Sequence, residues 1–281
     1  MRARMLDLLS AAQHGGYAVG AFNVYNLEGV QAVIAAAEAE SSPVILQIHP
    51  KALLHGGAPL IVLCQTAADE ARVPAAVHLD HSASAEAIER ALHLGITSVM
   101  ADGAGLSYAD NVIFSRAMVA LAHKHGASVE AELGQISGTE DDLVVAENDA
   151  RLTDPAQAVE FVNETGLDAL AVCIGNVHGQ YRGEPQLDLA RLAEIRRRVS
   201  VPLVLHGASG LKEQHIREAI RLGVCKFNVN TELRQAYLTA ARSALTGAKP
   251  ADLSDLIAAV VAAVKTVVLD KLRLFASGGK A

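Results

Sequence analysis

Pro202-Leu203-Val204-Leu205-His206-Gly207-Ala208-Ser209-Gly210 is an apolar run that closes on a histidine and a glycine-bearing turn, and Cys225-Lys226-Phe227-Asn228-Val229-Asn230-Thr231 is a second that closes on two asparagines. Between them, 212–222 is a charged and aliphatic segment of helical length. Strand, helix and strand in that order are the unit of a parallel sheet covered by helices. The polar residues fall where strand gives way to helix.

The same rhythm runs outward through the chain. Short apolar or β-branched runs lie at 18–24, 43–49, 75–80, 98–102, 128–134 and 169–175, which with 202–207 and 225–230 makes eight. Helical segments follow at 27–40, 57–72, 84–94, 109–125, 155–165, 188–198, 212–222 and 231–246, and 253–275 adds an amphipathic C-terminal helix. Ser84, Thr153-Asp154-Pro155 and Thr231 supply helix-start residues. Eight such units predict an α/β fold, a (β/α)8 TIM barrel with an additional C-terminal helix, in a chain close to the usual barrel length. No linker divides the chain, so residues 1–281 read as a single barrel domain. Residues 135–151, rich in Gly, Asp and Glu, are too long for an ordinary turn and suggest an active-site lid.

A hydrophobic fraction of 51% supplies a large core. The net charge of −7 argues against nucleic acid or an anionic membrane surface as a partner. Cys64, Cys173 and Cys225 are odd in number and sit in apolar runs, so they read as buried free thiols of a reducing compartment. No apolar stretch of signal-peptide length follows the N-terminal charges, and charged residues interrupt 253–275, so the expected setting is the cytoplasm.

In a parallel barrel, chemistry gathers at the carboxyl ends of the strands. Here the strand bodies read as Val, Leu, Ile and Ala, whereas the ends carry Asp80-His81, Asp102-Gly103, Glu130 and Glu132, His178, His206-Gly207 and Asn228-Val229-Asn230-Thr231. His81, His178 and His206 come from three strand ends and can converge as three nitrogen ligands, leaving the open position that a catalytic zinc needs. His78, inside a strand, reads as structural. His14, His93, His123, His125 and His215 read as solvated. The turns after the seventh and eighth strands place two helix N-termini side by side, a usual phosphate site of barrel enzymes.

These residues resemble the class II fructose-bisphosphate and tagatose-bisphosphate aldolases essentially from end to end. The likeness is carried by Ala21-Phe22-Asn23-Val24, Val77-His78-Leu79-Asp80-His81, Val129-Glu130-Ala131-Glu132-Leu133-Gly134, His178-Gly179-Gln180-Tyr181, Leu205-His206-Gly207-Ala208-Ser209-Gly210 and Lys226-Phe227-Asn228-Val229-Asn230-Thr231-Glu232-Leu233. The resemblance implies a zinc-dependent aldolase of carbohydrate metabolism, such as glycolysis, working on a phosphorylated ketose and giving dihydroxyacetone phosphate plus an aldehyde. It makes His81, His178 and His206 the zinc ligands, and Asp80 the residue that donates a proton to the aldehyde's carbonyl during condensation. Gly179, Gly207, Ala208, Ser209, Asn228, Asn230 and Thr231 would hold the ketone-phosphate half, with Asn23 counted among the substrate-binding residues. Asp102 and Glu132 would serve a second divalent or a monovalent cation, and Glu140 in the lid would move protons on the ketone half. A homo-oligomer, dimer or tetramer, is expected.

The chain departs from the family pattern at Ser82, Ser137, Ala104 and His49-Pro50. The last two fall near the expected aldehyde half, so a ketose with a different terminal group is expected to rival fructose 1,6-bisphosphate. Three other readings stay open at this stage. One is a Schiff-base aldolase using Lys226, whose strand parity turns it inward with Asn228. The second is a zinc hydrolase barrel, and the third a non-catalytic barrel partner of an aldolase.

Overall fold

The computed structural model describes residues 1–140, 143–145, 151–179, 183–246 and 252–281, with the side chains of 139, 140 and 143–145 outside that description. In chain order the strands are β1 (Val19–Asn23), β2 (Val44–Ile48), β3 (Ala75–Ser82), β4 (Ser98–Ala101), β5 (Ser128–Leu133), β6 (Ser137–Glu140), β7 (Leu143–Val145), β8 (Ala169–Val172), β9 (Val177–His178), β10 (Leu203–Leu205) and β11 (Val224–Val229). Eight of these pair in parallel and close in the order β1-β2-β3-β4-β5-β8-β10-β11, with β11 returning to β1. They coincide with the eight predicted runs. The protein is a (β/α)8 barrel.

The helices are α1 (Met5–Gly15), α2 (Leu27–Glu40), α3 (Pro50–Glu70), α4 (Ala85–His93), α5 (Tyr108–Lys124), α6 (Pro155–Thr165), α7 (Leu189–Arg198), α8 (Glu213–Arg221), α9 (Thr231–Leu245) and α10 (Leu253–Leu274). None of the described helices is long and apolar enough to cross a membrane. In α10, Val260, Val264, Val268 and Leu272 recur every four residues and form its buried stripe. Arg273 and Lys271 then tie this helix to Glu40 and Glu232.

Three features differ from the sequence reading. First, α3 starts at Pro50 instead of 57. The His49 imidazole accepts from Lys51 N at 3.1 Å, and proline at the first turn needs no donor. Gly57, at φ 54° and ψ −153°, kinks the helix where its start was expected. Second, 135–151 contains an antiparallel β6–β7 pair, closed at its base by backbone hydrogen bonds of 2.9 and 3.0 Å between Gln135 and Arg151. Third, α1 precedes the barrel and was not anticipated, because it is short and Arg4 offers no side-chain cap.

This helix closes the amino end of the barrel. Met5, Leu8, Leu9 and Ala12 pack into a cluster with Val19, Ala21, Ile45, Ala76, Ala169, Ala171 and Val204. The small alanines leave room that the helix side chains fill. Above this layer the interior is polar, which corrects the reading of purely aliphatic strand bodies: Gln47, His78, Ser98, Glu130 and Lys226 are all buried within strands. Leu9 is completely buried, so Leu9→Ala should lower stability by about 2–5 kcal/mol in urea unfolding. A loss below about 1 kcal/mol would mean the barrel does not depend on its plug.

Candidate active site

Asp80 and His81 are neighbours on β3, where alternation would send them to opposite faces. The β3–β4 register advances from Leu79↔Val99 to Ser82↔Ala101, so β3 carries one extra residue there. Such a bulge re-aims side chains. His81 takes up the change with φ 39°, a left-handed conformation uncommon for a non-glycine residue and concentrated at functional sites. Both side chains thereby reach the mouth of the barrel.

His178 is brought in by two close backbone approaches. β9 pairs with β6 on one side, Gly138 opposite His178. A Cβ on Gly138 would lie 2.1 Å from the His178 carbonyl oxygen, and one on Gly207 would lie 2.1 Å from that of Val177. Only glycine at both positions lets β9 sit between β6 and the turn after β10. That turn begins with His206.

The three imidazoles consequently meet. Ring centroids of His81 lie 5.1 Å from His178 and 4.7 Å from His206, and one nitrogen of each falls within 4.8 Å of the others. Among the described residues this is the one group of three or more able to hold a metal ion. All three are buried. His81 Nδ1 lies 2.7 Å from Asp102 Oδ2, and His206 Nε2 lies 2.8 Å from Glu130 Oε1. A nitrogen that donates to a carboxylate leaves the other with its lone pair. His206 Nδ1 has no hydrogen-bond partner and stands 3.4 Å from Glu132 Oε2. Burial also pulls His178 and His206 below the usual histidine range, which keeps them neutral.

Asp80 is held by two amides. Asn23 Nδ2 donates to Oδ2 at 2.9 Å and Asn228 Nδ2 to Oδ1 at 3.3 Å. Burial alone would raise this carboxyl, but the pull of His81 and of the Lys226 ammonium outweighs it and holds Asp80 well below the usual carboxylate range. Glu132 goes the other way. Burial, reinforced by the Asp102 charge, pushes it up to about 8.

The remaining predicted residues fall nearby. Gly207, Ala208 and Ser209 form the turn after β10, Gly179 follows His178, and Asn230 and Thr231 open α9. Tyr25 donates to Asn230 Oδ1 at 2.8 Å. Seven helices begin with a side-chain cap, whereas neither α8 nor α9, the two flanking this turn, has one. Glu140 ends β6 with its side chain outside the description, and Gln180 and Tyr181 lie outside the described residues. Asp102 Oδ1 accepts from Ala104 N at 3.1 Å, a backbone bond indifferent to the missing hydroxyl at 104. His215, expected in solvent, is half-buried instead.

Sequence reasoning missed Gln47, Tyr25 and a cavity of about 320 Å³ lined by Asn23, Lys51, His55, Arg234 and Tyr237. Gln47 had a signal in its parity with Ile45. The cavity had none, since its walls come from distant helices. A larger cavity of about 780 Å³ lies at the opposite end, near Gln13, Arg196 and Gly223, away from the histidines.

Eight parallel strands whose polar residues crowd one mouth define an enzyme-type (β/α)8 barrel. The sequence model of the family described as "Fructose-bisphosphate aldolase class-II" matches residues 3–280, and the chain belongs to that family: it is an aldolase, a carbon–carbon lyase. It is similar to the YdjI aldolase from Escherichia coli K12, with 38% identity, TM-score 0.90 and 100% of both chains covered. A candidate fructose-1,6-biphosphate aldolase from Coccidioides immitis matches with 36% identity and TM-score 0.91, over 99% of this chain and 97% of that one. The fructose-bisphosphate aldolase (Fba) from Campylobacter jejuni, at 21% identity and TM-score 0.83 over 100% of this chain and 97% of that one, shares the fold.

Buried histidines also make acid stability a test of this site. Burial pushes His78 down to about 3 from an ordinary 6.5, and His178 falls in the same direction. Between those limits the unfolded chain binds more protons, so stability falls as pH is lowered. Glu132 opposes this above its ordinary 4.5, but it is one group against His78, His178 and the likewise lowered His206. Metal-free protein should therefore lose at least about 1.4 kcal/mol per pH unit from pH 6.5 to 4.5. A flat stability profile in that window would contradict the burial of neutral imidazoles.

Proposed function

We propose that this aldolase is zinc-dependent and cleaves and forms a carbon–carbon bond of a phosphorylated ketose, giving dihydroxyacetone phosphate and an aldehyde. The observation that carries the reading is the convergence of His81, His178 and His206 beside Asp80. Three imidazoles suit zinc and leave a position for substrate oxygens. His81, His178 and His206 would hold the ion. Zinc, when bound, supplies a Lewis acid that lets a ketone oxygen carry the charge left by bond cleavage.

The other steps belong to the chain. Ionised Asp80 takes the hydroxyl proton of the departing aldehyde fragment in cleavage and returns it to the carbonyl oxygen in condensation. The amides of Asn23 and Asn228 keep its carboxylate aimed while it does so. Glu140 on the β6–β7 hairpin exchanges the proton on the ketone half. Gly179, Gly207, Ala208, Ser209, Asn228, Asn230 and Thr231 hold that half, the phosphate facing the uncapped start of α9. A second divalent or a monovalent cation would meet Asp102 and Glu132 and offset their mutual repulsion. The aldehyde half fits the cavity beyond Asn23, where Lys51, His55 and Arg234 favour an acidic end group. His49 uses Nδ1 to cap α3, so Nε2 carries its proton, in a ring 6.3 Å from that of His81.

No observation favours the rival readings. Lys226 Nζ is fully buried and shared between Glu130 and Asn228, which suits neither attack on a carbonyl nor access to one. A non-catalytic partner has no use for Asp80 and three converging histidines together.

Chelation should abolish release of dihydroxyacetone phosphate from ketose phosphates, and added zinc should restore it. Asp80→Ala should keep its zinc yet turn over roughly 10²–10⁴-fold more slowly. Full activity after metal removal, or borohydride trapping of substrate on Lys226, would overturn the proposal.

A further inference from the structure

Lys226 is a lysine with no solvent exposure, inside a barrel, with no part in the reaction above. Lysine is almost never buried so completely unless paired. An ion pair in such a place is often replaceable by apolar side chains without loss of stability. Its place here is a junction. Nζ lies 2.8 Å from Glu130 Oε2 and donates to Asn228 Oδ1 at 2.7 Å. Beyond Glu130 stands His206, and beyond Asn228 stands Asp80.

An ammonium can only donate. Asn228 must therefore turn its oxygen to Lys226 and its NH2 to Asp80. The reverse amide orientation would set a carbonyl oxygen against the carboxylate. Asn23, the other amide on Asp80, is oriented in the same manner: its oxygen accepts from Gln47 Nε2 at 3.1 Å, so its NH2 faces Asp80. On the other arm, the lysine holds one oxygen of Glu130 and leaves the second to accept from His206 Nε2. That fixes the tautomer in which His206 Nδ1 keeps its lone pair.

We propose that Lys226 is a positioning residue that sets two orientations at once, the Asn228 amide that aims Asp80 and, through Glu130, the His206 imidazole that offers Nδ1 to a metal ion. The inference rests on the zinc reading, and its test separates the two. Lys226→Met keeps length and bulk but removes the donors. Zinc affinity, measured by competition with a chromogenic chelator on protein shown folded by near-UV circular dichroism, should fall by about 10–100-fold, as for other supports of metal-bound histidines. The kcat for ketose-phosphate cleavage at saturating zinc should fall by about 10²-fold with KM little changed, since the Asp80 base is misaimed and not removed.

If the single variant misfolds, Glu130→Gln combined with Lys226→Met removes both buried charges. The glutamine amide oxygen can still accept from His206, so zinc affinity should recover towards the parent. The kcat should stay low, because Asn228 still lacks its anchor. A folded Lys226→Met protein matching the parent in either quantity, or a double variant whose kcat recovers with its folding, overturns the positioning role. A parent that binds no zinc overturns the functional reading first.

Discussion

A closed barrel leaves almost no water around a charge in its interior, so each buried ionic group needs a partner on a neighbouring strand. Lys226 and Glu130 meet this constraint across the barrel, 2.8 Å apart and wholly buried. Asp80 meets it with two amides and the positive groups around it. At Glu132 burial and the Asp102 charge outweigh the pull of His81 and a backbone hydrogen bond from Ile136, so this carboxyl holds its proton to a higher pH. The network spans β1, β2, β3, β5 and β11, so a shift of one strand would unbalance the charges on the others.

The interior is divided along its axis. Its lower part is made of small residues, Ala21, Ala76, Ala169 and Ala171, into which α1 inserts Met5, Leu8 and Leu9. Its upper part is the polar network. The two layers touch where Ser98, bonded to His78 at 2.7 Å, also reaches Met5 Sδ at 3.1 Å. A rigid apolar base supports side chains whose orientation decides the chemistry, as a site built on strands and not on loops should be.

The barrel was legible because strand–helix alternation is a local pattern, repeated eight times. The three histidines were legible because each stands at a strand end, a position that topology alone carries to one mouth. Other features depend on contacts between distant residues. Nothing local in Met5–Gly15 announces that it plugs the barrel. His49-Pro50 looked like a strand end with an altered specificity residue, and its imidazole turned out to cap α3. Lys226 was recognised as inward by parity, but its partner Glu130 lies about a hundred residues away in sequence, and parity does not say which inward groups touch. The β3 bulge that turns His81 towards the site is a one-residue register shift with no sequence mark.

In the proposed zinc enzyme three imidazoles, and not the carboxylates beside them, hold the metal. X-ray absorption spectroscopy at the zinc edge on the reconstituted protein tests it most directly. Three nitrogen scatterers at about 2.0–2.1 Å with the multiple scattering of histidine rings, completed by a light oxygen ligand, are expected. A first shell dominated by oxygen, placing the ion on Asp102 and Glu132 without the histidines, would contradict it.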